Sequence, residues 1–218
     1  MSAALAEPHD AAPIPDEVRR LVPAISSCEA EVETFRRMLW AANTRANLVG
    51  ASTLGNFWRR HFLDSAQLLH FEPEARVWAD LGSGAGLPGI VLAILMKGRP
   101  GARVHLVESR AKRRRFLSDV VEVLELPAEV HHARAEDLRL QVEIVTARAC
   151  APLERLLGFA KPYMDLGARG LFLKGQDVAL EIAQARGTWR FEVQTHASLS
   201  DPRGRVVMIP QVTLAARR

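Results

Sequence analysis

The chain has 218 residues, a formal net charge of +4 and an isoelectric point near 9.6, with 48% hydrophobic and 25% charged residues. These are the proportions of an ordinary soluble globular protein, enough for one domain with an extension. No apolar run is long enough to span a bilayer, and the only cysteines, Cys28 and Cys150, lack the spacing of a disulfide framework or a zinc site, so a reducing cytoplasm is expected.

The start, MSAALAEPHDAAPIPDEV, has neither a basic n-region nor a continuous apolar h-region, so no secretory signal is expected. Residues 1–15 are Ala/Pro-rich and read as a flexible tail. Residues 16–75 read as helical. Val18, Leu21, Val22 and Ile25 fall at helical spacing, and Val32, Phe35, Leu39 and Trp40 continue a similar stripe. A turn is expected around Asn43–Gly50, then a second helix from Leu54 to Phe71, ended by Pro73.

From Arg76 the texture changes, and residues 76–218 read as an α/β domain capped by the helical segment. RVWADLG predicts a buried strand, followed by a glycine loop and an apolar helix from Pro88 to Met96. ARVHLVE predicts a second strand ending at Glu108, and RAKRRRFLSDVVEVLEL a second helix. AEVHHARAED, VEIVTARA and RGLFLKG predict the third to fifth strands, with helices over Pro152–Met164 and Val178–Ala185. FEVQTHASL and RVVMIPQV flank a turn at Asp201–Gly204 and read as a closing antiparallel pair. Strands alternating with amphipathic helices predict a seven-stranded, mostly parallel sheet covered on both faces.

The loop ADLGSGAGLPG satisfies G-x-G-x-x-G through Gly84, Gly86 and Gly89, a permissive match to a dinucleotide site. Two residues argue against a pyrophosphate. Asp80 places negative charge at the strand tip, and Pro88 removes an N–H from the first helical turn. No Lys-Ser/Thr follows the glycines, which excludes a Walker A loop. S-adenosylmethionine (SAM) meets both objections, because it carries an ammonium and a sulfonium and no phosphate. Its ribose needs an acid at the tip of the next strand, where Glu108 stands. RAED, at Arg134–Asp137, offers Glu136 and backbone to an adenine edge. The competing reading is that Glu108 and Glu136 cap the helices that follow them.

The ordered blocks WADLGSGAGLPGIVLAI, LVESRAKRRRFL, ARAEDL, TARACAPL and GLFLKG, with NLVG and RRHFLDS upstream, resemble the glucose-inhibited division protein B family, RsmG. The resemblance covers about Trp40–Gly175. It implies a class I SAM-dependent methyltransferase fold, Rossmann-like, with an N-terminal helical extension. It also implies SAM as methyl donor and N7 of one guanine in the 530 loop of 16S rRNA as acceptor. Carried over by position, Gly82, Leu87, Ala135, Glu136 and Arg148 match the family's cofactor contacts, beside Asp80, Gly84 and Glu108 from the loop argument. Glu108 stands where many members have Asp, and NLVG replaces the commoner Asn-Leu-Thr.

Guanine N7 has an in-plane lone pair and no proton, so no general base is expected and no residue is assigned to proton transfer. The Asp/Asn-Pro-Pro-aromatic loop of exocyclic-amine enzymes is absent after the fourth strand, and Cys150 follows Ala149 instead of forming the Pro-Cys pair of a thiolate nucleophile. Arg110, Lys112, Arg113, Arg114 and Arg115 crowd the start of one helix against its dipole, which points to phosphate contacts. Arg60, His61, Lys112, Arg113 and Lys174 are the expected RNA contacts. His131 and His132 read as structural, with no metal partner in view. The expected partner is 16S rRNA or a small-subunit particle, met by a monomer. The rival readings are an NAD(P)-dependent oxidoreductase using the same loop, and a non-catalytic RNA-binding assembly protein.

Overall fold

The computed structural model describes residues 13–215. Of the expected tail, residues 1–12 lie outside the described residues, and Ile14 already packs against the core.

The strands are β1 (Val77–Leu81), β2 (Arg103–Val107), β3 (Ala128–His131), β4 (Ile144–Arg148), β5 (Arg169–Lys174), β6 (Trp189–Phe191), β7 (Gln194–Ala197), β8 (Arg205–Ile209) and β9 (Val212–Leu214). Seven form one sheet in the order β3-β2-β1-β4-β5-β8-β7. The first five run parallel; β8 pairs antiparallel with both β5 and β7. The expected closing pair is therefore present. Its two segments each also feed a second, two-stranded sheet of β6 and β9. Pro210 divides RVVMIPQV at this point, because a residue without an N–H cannot continue a ladder.

Alternating side chains send the sheet's two faces into separate cores. Trp78, Val104, Leu106, Ile144 and Leu171 face one cluster; Ala79, Leu81, Val107, Val145 and Phe172 face the other. On the first face lie α6 (Gly89–Met96) and α7 (Ala111–Val123); on the second lie α8 (Leu153–Met164) and α9 (Val178–Ala185). All eight residues of α6 are buried. A helix apolar all round needs cover on both sides. The sheet covers one, and α2 (Glu29–Ala46) with α4 (Asp64–Ala66) covers the other. The N-terminal helices thus share one core with the sheet.

That segment is more broken than its periodicity predicts. Pro23 interrupts the first stripe, which divides into α1 (Asp16–Leu21), a 3-10 turn over Pro23–Ser27, and α2. The helix expected over Leu54–Phe71 is α3 (Ala51–Leu54), a π-helical turn over Trp58–Leu63, α4, and α5 (Leu68–Phe71). The turn expected from Asn43 begins only at Asn47, whose φ is 44°. Buried Asn43 holds it by accepting Val49 N–H at 2.8 Å.

Candidate active site

The parallel strands all end on one edge of the sheet, where α/β proteins bind ligands. Asp80 lies near the end of β1, Glu108 one residue past β2, Arg148 ends β4 and Lys174 ends β5. A cleft of about 960 Å³ opens there. The glycine loop forms one wall. Val107 O accepts the N–H groups of Gly82 and Ser83 at 2.9 and 3.0 Å, which pins the loop to β2. Gly82 has φ +67°, and a Cβ on it would lie 2.7 Å from Cys150 Sγ. Only glycine lets the loop rest on the tail of β4.

Asp80 is fully buried beneath this loop. Its Oδ2 accepts Gly89 N–H at 3.0 Å, while Oδ1 has no partner among the described residues. Burial pushes its carboxyl up to about 7, against the pull of the Gly89 N–H. A Cβ at Gly89 would meet Leu106 Cδ2 at 2.3 Å and Asp80 Oδ2 at 2.7 Å, so this glycine makes room for the acid. The first N–H of α6, which a pyrophosphate would seek, is therefore already bonded to a carboxylate. Glu108 is also buried. Its Oε2 accepts Gly84 N–H at 3.0 Å and its Oε1 accepts Arg110 N–H at 2.7 Å. It holds the glycine loop and the residue that leads into α7 at once.

Arg148 reaches back to the N-terminal segment. Its Nη1 donates to Arg60 O at 2.7 Å and to Asp64 Oδ2 at 3.2 Å, and its Nη2 to His61 Nδ1 at 3.2 Å. His61 is buried; desolvation first, then the charges of Arg148 and Arg60, hold it down to about 3. Lys174 Nζ lies 2.5 Å from Glu181 Oε2 and donates to Ala151 O at 3.0 Å. Arg113 Nη1 stands 3.9 Å from Glu108 Oε2.

The family profile described as "GidB: rRNA small subunit methyltransferase G" matches residues 28–205. The chain belongs to this family. The "Ribosomal RNA small subunit methyltransferase G" of Caulobacter vibrioides is 56% identical over 192 residues, covering 87% of this chain and 89% of that one. The protein of the same name from Nitrobacter winogradskyi is 43% identical over 205 residues, covering 91% and 73%. Among solved structures, a SAM-dependent methyltransferase from Aquifex aeolicus superposes with a TM-score of 0.54 at 15% identity, covering 78% of this chain and 98% of that one. That likeness is one of fold, a mostly parallel sheet flanked by helices.

Of the residues singled out from the sequence, Gly82, Gly84, Leu87 and Arg148 line the cleft, together with Arg60, His61, Arg113 and Lys174. Asp80 and Glu108 sit behind the loop, not on the cleft wall. Ala135 and Glu136 lie in a 3-10 turn, Ala135–Asp137, after β3, where Glu136 pairs with Arg134 at 3.6 Å. Lys112 is exposed on the first turn of α7, away from the cleft lining.

Sequence reasoning missed three groups. Asp64 lines the cleft and faces Arg148, although RRHFLDS was already a recognisable block. Asp201, Arg203 and Arg205 bring the β7–β8 turn to the cleft's rim, and Arg60 meets Asp201 at 2.8 Å. His131, read as having no metal partner in view, lies with His105 and Glu129 in a cluster on the β2–β3 ladder. Its Nε2 meets His105 Nδ1 at 2.9 Å in a hydrogen bond, and Glu129 also pairs with Arg103 at 4.0 Å, so the groups are engaged with protein partners.

Proposed function

We infer that this chain transfers the methyl group of SAM to N7 of a guanine in 16S rRNA. The observation that carries the reading is the cleft at the strands' carboxyl ends, walled by the glycine loop, in a chain of this family. SAM, when bound, supplies a methyl group made electrophilic by its sulfonium. The residues present suit that donor. The N-terminal N–H of α6 is bonded to Asp80, which disfavours a phosphate and so the NAD(P) alternative. Asp80 Oδ1 is a buried acceptor without a partner among the described residues, beneath the loop. A Cβ at Gly84 would meet nothing closer than 3.6 Å, which leaves the loop's outer side free for close approach.

In this reading Gly82, Gly84 and Leu87 line the donor's seat, with Asp80 behind the loop. Glu108 keeps lone pairs for a ribose hydroxyl while holding Gly84 and Arg110. Ala135 and Glu136 flank the adenine, and Arg148 faces the carboxylate. Arg60, Lys112 and Arg113 meet RNA phosphates. His61 and Lys174 contribute from the cleft wall, with their polar atoms already engaged by Arg148, Thr53, Glu181 and Ala151. No proton leaves N7, and His61, held neutral, has none to give at ordinary pH. Catalysis is alignment of two reactants. The chain acts in the cytoplasm as a monomer, on free rRNA or on a small-subunit particle.

Deleting the gene and mapping 16S rRNA by primer extension after borohydride–aniline cleavage tests this directly, since that cleavage reports N7-methylguanine. Loss of one stop in the 530 loop, restored by the wild-type gene, is expected. An unchanged stop pattern overturns the reading and favours a non-catalytic assembly role.

A further inference from the structure

We propose that Asp64 and His61 are positioning residues that aim Arg148 at the carboxylate end of the cofactor. The proposal rests on the reading of Arg148 as the carboxylate contact and extends it to the helical segment that no cofactor argument has used.

The geometry assigns every proton. A guanidinium has five N–H donors and no acceptor. His61 Nδ1 must therefore accept from Arg148 Nη2, which leaves the ring's proton on Nε2. Nε2 faces Thr53 Oγ1 at 3.0 Å, and the Thr53 hydroxyl donates to Gly50 O at 2.7 Å. The chain of donors runs one way, from Arg148 through His61 and Thr53 to a backbone carbonyl. A second proton on His61 would set two donors against each other. Burial and the two neighbouring arginines oppose that proton as well.

Asp64 supplies the charge. Its Oδ2 takes Arg148 Nη1, and its Oδ1 takes the Ser200 hydroxyl at 2.5 Å and Gln67 Nε2 at 3.2 Å. Ser200 in turn meets Ser198 Oγ at 2.9 Å, and Ser198 Oγ accepts from Gln67 Nε2 at 3.0 Å. One carboxylate thus joins the end of β4, the helical segment and the β7–β8 turn. Arg148 and Asp64 side chains are 17% and 18% exposed, so the pair is largely shielded from screening. The protein bonds engage Nη1 twice and Nη2 once. Among the described residues, Arg148 Nε–H has no hydrogen-bond partner. Nε–H is therefore left to a ligand, on a guanidinium whose planar fork suits a carboxylate. The network therefore fixes the fork's orientation at the cleft that Arg148 lines, instead of merely holding a positive charge nearby.

The test compares two ligands by calorimetry: S-adenosylhomocysteine, which has the carboxylate, and 5′-methylthioadenosine, which lacks the amino-acid end. Variants Asp64→Ala, His61→Gln, His61→Asn and Arg148→Met are used, with melting temperatures to establish folding. His61→Gln keeps a donor toward Thr53 but loses the acceptor at the Nδ1 position. His61→Asn keeps that acceptor. Both lose the ring, and Asn is the smaller, so lost packing alone would weaken His61→Asn at least as much as His61→Gln. The expected result is a roughly tenfold loss of S-adenosylhomocysteine affinity in Asp64→Ala and His61→Gln, with methylthioadenosine unchanged and His61→Asn near wild type. Equal losses for both ligands, or His61→Asn as weak as His61→Gln, overturn the positioning role. If Arg148→Met itself keeps the wild-type ratio of the two affinities, the reading of Arg148 falls, and the proposal with it. A wild-type chain that binds neither ligand instead refutes the proposed donor.

Discussion

Replacing Asp80 by Asn isolates the one acid whose environment the fold has changed most. The amide oxygen can still accept Gly89 N–H, so the start of α6 keeps its bond while the charge disappears. In the wild type the carboxyl titrates at about 7 when folded and at an ordinary 3.8 when unfolded. Between those values the folded state binds the extra proton, so stability falls as pH rises. The contribution is fully present below 3.8 and lost above about 7. At about 1.4 kcal/mol per pH unit the whole window is worth roughly 4 kcal/mol, of which about 3 lies between pH 5 and 8.5. His61 works in the opposite direction. Its folded value of about 3 lies below the ordinary 6.5, so its contribution rises with pH across that interval. Comparing the two proteins cancels His61, because both contain it. Urea unfolding of the cofactor-free proteins at pH 5 and 8.5 gives the two differences. Asp80→Asn should gain about 3 kcal/mol on the wild type between the first pH and the second. A difference that is the same at both pH values would refute the buried, protonatable Asp80.

Gly89→Ala forces a methyl group against Leu106 and Asp80 and should cost about 1–3 kcal/mol, read as a lower urea midpoint; wild-type stability would mean that α6 shifts freely. Lys174→Met leaves Glu181 with Leu153 N–H but without its charge partner, in a site where the lysine side chain is 8% exposed. A loss of about 3 kcal/mol is expected, mostly recovered by adding Glu181→Leu; additive losses in the double variant contradict a coupled pair. Glu108→Gln can accept only one of the N–H groups of Gly84 and Arg110, and its amide then opposes the other. The cofactor-free melt should fall by the equivalent of about 1–3 kcal/mol; an unchanged melt would show that Glu108 does not hold the loop. Affinity for 16S rRNA should fall steeply with salt, and Lys112→Ala should lower the slope of log K against log salt by roughly one; a flat response counts against an RNA substrate.

The parts of this fold that could be read in advance are those that local pattern determines. GIVLAILM is apolar on every side, and its burial between the sheet and the N-terminal helices follows from that. The strands ending at Leu81, Val107, Arg148 and Lys174 were each expected to within a residue or two, because β-rich runs are bounded by turn residues. What escaped depends on partners distant in the chain. Asp64 and Ser200 are 136 positions apart, and nothing near either one announces the bond. His105 and Glu129 face each other only because β2 and β3 pair in that register. Pattern also misled where an apolar stripe crosses a break. Helical spacing continues past Pro23 and past Gly55, but the backbone does not.

Ligand contact and helix cap stand as alternatives for Glu108 and Glu136, and Glu108, which bonds the residue before α7 and not its first turn, keeps room for a ligand. A carboxylate has about four lone-pair sites, so one bond to the protein does not exhaust it. Asp80 uses Oδ2 to start α6 and leaves Oδ1 unpaired; Glu108 uses one lone pair of each oxygen to tie the loop to α7. The bonds to the protein give the glycine loop its shape, so the acids prepare the wall before any ligand arrives. On the proposed reading, the same bonds disfavour phosphate. A carboxyl seated on the N–H of Gly89 occupies the donor that a pyrophosphate requires, and above about pH 7 it adds a charge that repels it. On the proposed reading, selection between a cationic methyl donor and a phosphorylated carrier lies with Asp80, a residue beneath the loop that does not line the cleft.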